Sequence, residues 1–453
     1  MAMATRLCTT ELRRSVLPCL LLPAVLLAVL LTVLLTVAPG PAAGQDEPWR
    51  YRGIFKLSTL ASRATQGDYG YVHQGDDTRM ATEQLFRLQL KAAPAEWLRA
   101  ELDYLNIMQN NDGQPAAAGA AGAALFRRTP GSRWLERPAD DPDDPLAPPS
   151  QQQVWWRHEI DRAWLRLGFA GWEAVAGRQP ISFGAGRIWQ PTDLFAAFSP
   201  LDLDREYKPG VDAMLVRAYP GAFSELTAVW VASPRAPGPD GERVNDSAAL
   251  HFKALLGGNT ELSLLGASVR EVGVAGGSLE TTWLAAGWLL EGARFSYEDS
   301  SGETRAESVY VAGVNFGLSS GVVLVAELYR NTMGADNEDE LLQVALSPPY
   351  QEGRLPQLSS TVLGLGGNGE LGGLWRWSYS LFASALPDSE GSRHSSLLHQ
   401  GALFYSLSDE GEAVFSLMHG TGRGMEDLGL FAVPRSEFGH LPTSFFLSVK
   451  FVL

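Results

Sequence analysis

From Trp49 onward, apolar and polar residues alternate with a period of two rather than 3.6. The runs are bounded by Gly, Asn, Asp and Ser, the pattern of strands with one apolar and one polar face. Tyr310, Ala312, Val314 and Phe316 share a face. Across the break at Gly317-Leu318-Ser319-Ser320-Gly321, so do Val322, Leu324, Ala326 and Leu328, with Glu327 on the other side. The same spacing sets Arg87, Gln89 and Lys91 against Phe86, Leu88 and Leu90. It sets Arg99, Glu101 and Asp103 against Leu98, Ala100, Leu102 and Tyr104, and Arg162 and Arg166 against Ala163, Leu165 and Leu167. Lys253 opposes Phe252 and Ala254, and Arg376 opposes Trp375 and Trp377. Segments 211–219 and 397–407 do not commit to one face.

A soluble β-sandwich and a membrane barrel both alternate in this way, and three features favour the barrel. First, Arg6, Arg13 and Arg14 precede an apolar stretch, 17–37, and a small-residue exit, 38–44. That order describes a secretory signal, with cleavage expected after Gly44. An uncleaved anchor is the competing reading, and Pro18 and Pro23 weaken it. Second, Trp49, Tyr51, Trp97, Trp155, Trp156, Trp172, Trp283 and Trp288 lie near strand ends, as in aromatic girdles. Third, the chain ends in a strand with Phe445, Leu447, Val449, Phe451 and Leu453 on one face. Barrel-assembly machinery reads such a final strand.

The expectation is an all-β transmembrane antiparallel barrel of roughly 16 to 18 strands, occupying 45–453 after a signal peptide at 1–44. Short turns are read at 169–171, 220–221, 256–259, 291–292 and 409–411. Long loops are read at 109–153, 233–246, 331–357 and 420–440. The longest, 109–153, is rich in Ala, Gly, Pro and Asp and reads as a mobile, solvated acidic loop.

Composition narrows the chemistry. The net charge is −15, and no Lys/Arg cluster exists to displace the counterions of a nucleic acid. Without residues 1–44 the charge is −17. Both cysteines, Cys8 and Cys19, fall in the leader, so the remainder has no disulfide or thiolate metal site. Gly317 to Gly321 matches G-x-S-x-G but precedes a strand, so it reads as a hairpin turn and not a nucleophile elbow. The G-x-G-x-x-G match at Gly364 to Gly369 lacks a following helix and reads as a turn. The seven histidines form no ligand motif. No catalysis, metal or cofactor is expected.

The most informative stretch interrupts the alternation at 178–212. It mixes Arg178, Arg187, Arg205 and Lys208 with Asp193, Asp202, Asp204, Glu206 and Asp212, among Pro, Gly and aromatic residues. Two readings stand. Either it folds into the lumen and constricts it with paired charges, or it is a packed plug that braces the wall. Gly177-Arg178-Gln179-Pro180-Ile181-Ser182-Phe183-Gly184, Pro191-Thr192-Asp193-Leu194-Phe195 and Asp204-Arg205-Glu206-Tyr207-Lys208-Pro209-Gly210-Val211-Asp212-Ala213 resemble porin-like outer-membrane barrels of the alginate-export and related substrate-channel type. The likeness covers 176–213. It implies one closed sheet that passes small solutes or an anionic polysaccharide. It implies constriction roles for Arg178, Gln179, Arg187, Asp193, Asp204, Arg205, Glu206 and Asp212.

The function expected is therefore an outer-membrane, porin-like channel for passive passage of small solutes, oligosaccharide or polysaccharide. Arg87, Lys91, Arg99, Glu101, Asp103, Arg162, Arg166, Lys253, Glu327 and Arg376 would line its lumen. Its partners would be outer-membrane lipid, lipopolysaccharide and the assembly machinery. The alternatives are a plugged or scaffolding barrel serving a periplasmic export or electron-carrying component, and an outer-membrane enzyme.

Overall fold

The computed structural model describes residues 48–63, 78–111, 154–195, 206–232, 246–298, 301–351, 353–427 and 432–453. The leader and most of the 109–153 loop lie outside these residues. The strands run β1 (Trp49–Arg63), β2 (Thr78–Ala95), β3 (Leu98–Asn111), β4 (Val154–Phe169), β5 (Trp172–Gln179), β6 (Val211–Gly221) and β7 (Ser224–Val231). They continue as β8 (Ser247–Leu256), β9 (Thr260–Val269), β10 (Val272–Trp283), β11 (Ala286–Glu298), β12 (Thr304–Gly317) and β13 (Val323–Asn331). Then come β14 (Thr361–Leu371), β15 (Trp375–Pro387), β16 (Arg393–Ser408), β17 (Gly411–Thr421), a small hairpin β18 (Met425–Asp427) and β19 (Ala432–Pro434), and β20 (Thr443–Val452).

All strands but the small hairpin join one 18-stranded antiparallel sheet. Each pairs with its neighbour in sequence, β17 pairs with β20, and β20 returns to β1, so the sheet has no free edge. Inside that seam Ser58 meets Ser448 at 3.0 Å and Ser62 meets Ser444 at 2.9 Å. The backbones of Gly53 and Leu453 exchange two further hydrogen bonds.

The apolar faces point outward. Met214 is 57% exposed, Leu290 58% and Leu417 52%, and the same is true of large apolar side chains around the wall. Such a surface is stable against hydrocarbon and not against water. Among the described residues no helix is long and apolar enough to cross a membrane; here strands do so. Trp49, Trp97, Trp172, Trp283 and Trp288 are exposed at the rim that carries the short turns and the C-terminus.

Two turns read from sequence are strand interior. Glu291-Gly292 lies within β11, with the Glu291 side chain turned into the lumen and buried. Gly364 to Gly369 lies within β14. There the missing side chains make room for rings. A Cβ on Gly364 would sit 2.8 Å from the Trp189 ring, and one on Gly369 3.1 Å from the Trp377 indole. The uncommitted segments are β6 and the inner part of β16. Both faces of these strands are apolar because Val211, Ala213, Leu215 and Leu398 face packed loops rather than water.

Gly177 marks a local departure from regular strand geometry. Its φ is +115°, and a Cβ there would lie 2.1 Å from the Ala163 carbonyl oxygen. The bend lets Arg178 enter the wall, where Nε and Nη2 donate to the two Asp212 oxygens at 2.8 and 2.9 Å. Nη1 donates to the Ile160 carbonyl at 2.6 Å. Gly177→Ala should destabilise the folded barrel by ~2 kcal/mol or more. Denaturant titration of the detergent-folded protein checks this, and an unchanged midpoint would refute it.

Candidate functional site

The segment after β5 does not leave the barrel. Its outgoing limb, 180–195, turns into the lumen and is held by two carboxylates from distant strands. Glu291 of β11 accepts from the amides of Ala185 and Gly186 at 2.9 and 2.8 Å. Its other oxygen accepts from the Thr192 amide at 2.9 Å and hydroxyl at 2.7 Å. Glu327 of β13 accepts from the Arg187 amide at 2.7 Å and from the amides of Ile188 and Trp189 at 3.1 Å each. A loop buried in a lumen has amides that neither water nor a ladder can satisfy. Two ionised acceptors satisfy six of them. Gly186 is required in this turn, because a Cβ would lie 1.8 Å from the Trp189 carbonyl oxygen.

Apolar packing completes the anchorage. Trp189 is 1% exposed and packs on Tyr329 and Phe382, with ring centroids 5.3 and 5.8 Å away. Phe183 stacks on His251 at 4.7 Å. Two further loops converge on the same core. One joins β13 to β14 and contains α1 (Leu341–Ala345) and α2 (Pro348–Gln351). The other joins β17 to β20 and includes the small hairpin. Leu355 from the first and Phe438 and Leu441 from the second share a cluster with Trp189. Glu437 ties these two loops together by accepting from the amides of Leu358, at 3.0 Å, and Ser359. Burial pushes its carboxyl above the usual range, and those amides oppose the shift. On the β10–β17 side, then, the lumen is packed with apolar side chains.

The returning limb, 206–210, reaches the opposite wall. Glu206 pairs with Lys450 of β20 at 2.8 Å, and the Arg87 guanidinium lies 3.9 Å above the Tyr207 ring. Lys208 Nζ reaches both oxygens of Asp193 at 2.5 Å, joining the two limbs. Burial pushes the Asp193 carboxyl up and the Lys208 amine down, while each partner opposes the other's shift.

The wall facing these limbs is ionic. Arg87 pairs with Asp103 at 2.8 Å and Asp161 at 3.0 Å, and Gln89 donates to Asp103 at 2.8 Å. Arg166 Nε donates to Glu173 at 2.6 Å, Arg217 pairs with Glu173 at 2.5 Å, and Lys253 pairs with Glu261 at 2.6 Å. Between Pro180, at the root of the loop, and Tyr219, near the short turns, lies a cavity of about 470 Å³.

The structure thus brings together part of the predicted constriction. Asp193 and Lys208 pair inside the barrel, and Glu206 pairs with Lys450 of the wall. Arg187 carries an exposed side chain at the tip of the outgoing limb. Arg178 and Asp212 instead bind each other within the wall, and Gln179 is buried, donating to the carbonyls of Val175 and Ala213. Asp204 and Arg205 lie outside the described residues. Of the predicted lining residues, Arg87, Glu101, Asp103, Arg162, Arg166, Lys253 and Glu327 face inward, with Lys91 beside Glu101. Arg99 stands opposite Arg166 in register, and Arg376 pairs with Glu412 towards the short turns. Sequence reasoning missed Glu291, Asp161, Glu173, Arg217 and Glu437. Glu291 carried a usable signal: like Glu327, it is an acid that interrupts a run of apolar and small residues, 286–293.

No family model and no curated protein matches the chain. Solved structures do. Acinetobacter baumannii OccAB1 superposes with a TM-score of 0.54 at 9% identity, over 92% of this chain and 99% of that one. A BenF-like porin from Pseudomonas fluorescens Pf-5 gives 0.55 at 10% identity, over 90% and 100%. Pseudomonas aeruginosa OccK5 (OpdH) gives 0.53 at 9% identity, over 91% and 99%. The chain has the fold of these porin-type barrels.

Removing either clasp carboxylate should release the outgoing limb, because each stranded buried amide costs about 1–3 kcal/mol. Glu291→Ala or Glu327→Ala should therefore open a tryptic site at Arg187 in the detergent-folded barrel. Equal resistance of parent and variants to trypsin would refute the clasp.

Proposed function

We propose that this barrel is a narrow, passive, solute-selective channel of the bacterial outer membrane. The short-turn rim would face the periplasm, as in other outer-membrane barrels. The observation that carries the reading is the loop pinned across the lumen. It is fastened to β11 and β13 on one side and reaches β2 and β20 on the other. A constriction held so firmly suits selection by size and polarity, and it suits small solutes better than an extended polysaccharide. The porin names of the structurally similar proteins agree with this. The outward C-terminal face of Phe445, Leu447, Val449, Phe451 and Leu453 suits recognition by assembly machinery, and the apolar wall suits contact with lipid and lipopolysaccharide.

The test is planar-bilayer conductance of the refolded protein under a salt gradient. The parent should give small, discrete steps with weak charge preference, because cations and carboxylates on the ionic wall largely neutralise each other. Glu291→Ala should enlarge the steps. Silence from folded parent and variant alike would overturn the channel reading and favour a plugged or scaffolding barrel.

A further inference from the structure

The outward face of the wall is charged opposite to the chain as a whole. The protein carries a net −15, yet the strand positions that face outward in the long-loop half bear Arg63, Arg294, Arg330 and Arg393. Of the carboxylates on that face among the described strand residues, Asp212 is closed on Arg178 and Glu298 ends β11. In the short-turn half the same face carries no charged side chain among the described strand residues. The outward cations thus stand only at the end where the long loops are.

Two of these arginines form a patch. Arg294 of β11 is exposed on the face it shares with Trp288 and Leu290, and among the described residues its side chain has no hydrogen-bonding or ionic partner. Arg330 of β13 is 48% exposed. Its Nη1 donates to Asp336 at 3.2 Å and to the Ser360 and Thr361 hydroxyls at 2.7 Å each. Those bonds fix the guanidinium and leave its Nε and Nη2 without a partner among the described residues. Tyr310 of β12 stands between the two, opposite Arg330 in register and 53% exposed. Its ring leans over Gly292, two residues below Arg294 on the same face, where a Cβ would lie 3.0 Å from Tyr310 Cδ1. Two strands and two residues separate the arginines, about 12 Å between Cα atoms at ordinary strand spacing, so their side chains can converge on one group.

A cation that faces hydrocarbon without a counterion is costly. At about 3.3 Å per residue, roughly 20 Å of tilted strand separate Arg294 from Trp288 of the aromatic rim. With its stem extended away from that rim, the guanidinium approaches the far edge of an apolar band roughly 25 Å tall. The anion at that depth is a lipid headgroup phosphate, which a guanidinium matches with paired N–H donors. We propose that Arg294, Arg330 and Tyr310 form a docking site for a phosphorylated glycolipid of the outer leaflet. The two arginines take one phosphate, and the Tyr310 ring lies beside the acyl chains below it. The proposal rests on the reading that the long-loop rim faces the cell exterior.

The experiment is native mass spectrometry of the folded, detergent-purified full chain with diphosphoryl lipid A, and with dephosphorylated lipid A as the comparison probe. Folding of each variant is confirmed by its heat-dependent shift on gel electrophoresis. The parent should retain the phosphorylated lipid saturably and at least tenfold more tightly than the dephosphorylated one. Arg294→Leu should weaken retention at least fivefold, and Arg294→Leu combined with Arg330→Leu should abolish the preference for phosphate. Arg305→Leu, the same charge change on the other face of β12, should behave as the parent does. Equal retention by parent and double variant overturns the site, as does retention indifferent to phosphate. So does an oligomeric parent that Arg294→Leu converts to monomer, because the patch is then an interface between copies of the chain. Planar-bilayer current separates the two readings. Current from a parent that ignores the phosphate defeats the docking site and leaves the channel; phosphate-dependent retention without current defeats the channel and leaves the docking site.

Discussion

Two carboxylates hold the inside of this barrel in order. Glu291 and Glu327 project into the lumen from β11 and β13, and between them they bind six loop amides and one hydroxyl. Hydrogen bonds to an ionised acceptor are stronger than neutral ones. Several donors converging on each carboxylate replace the water that burial removes. Loop and strand acids therefore need each other: either alone would leave buried polar groups unsatisfied. The positions of Trp189, Phe183 and Asp193 all follow from this clasp.

The clasp also divides the interior. On one side, three loops pack a core of Trp189, Leu355, Phe382, Phe438 and Tyr329, much as in a soluble protein. On the other, β2 to β9 present interlocked basic and acidic side chains. An inserted loop needs an apolar footing to stay put, whereas a path for polar solutes needs groups that exchange for hydration. This barrel carries both an apolar footing and an ionic wall, each confined to its own arc. Within 178–212, Asp193, Glu206 and Lys208 sit in the lumen, while Arg178 and Asp212 brace the wall.

Where lumen and lipid differ in polarity, the strands could be read directly from the chain. Arg87/Phe86, Glu101/Leu102 and Arg166/Leu165 lie as their alternation demands. Reading faltered where loops fill the lumen, because β6 and β16 are then apolar on both faces and lose their period. The glycines of β14 looked like a turn because the rings that fill their space come from elsewhere, Trp189 from the inserted loop and Trp377 from the neighbouring strand β15. Period alone also could not show that Glu291 and Glu327 meet one loop about 100 and 140 residues earlier; that pairing is a product of closure.

Closure has a kinetic consequence. The returning limb is fastened to Lys450, and Lys450 belongs to the last strand to be made. The seam serines, Ser58 with Ser448 and Ser62 with Ser444, likewise join the two ends of the chain. Contacts of such long sequence separation form late, after much loop-closure entropy has been lost. Sealing the seam and seating the returning limb at β20 are thus one event. A half-assembled sheet lacks this anchor of the crossing segment, so a fully seated segment certifies a finished barrel.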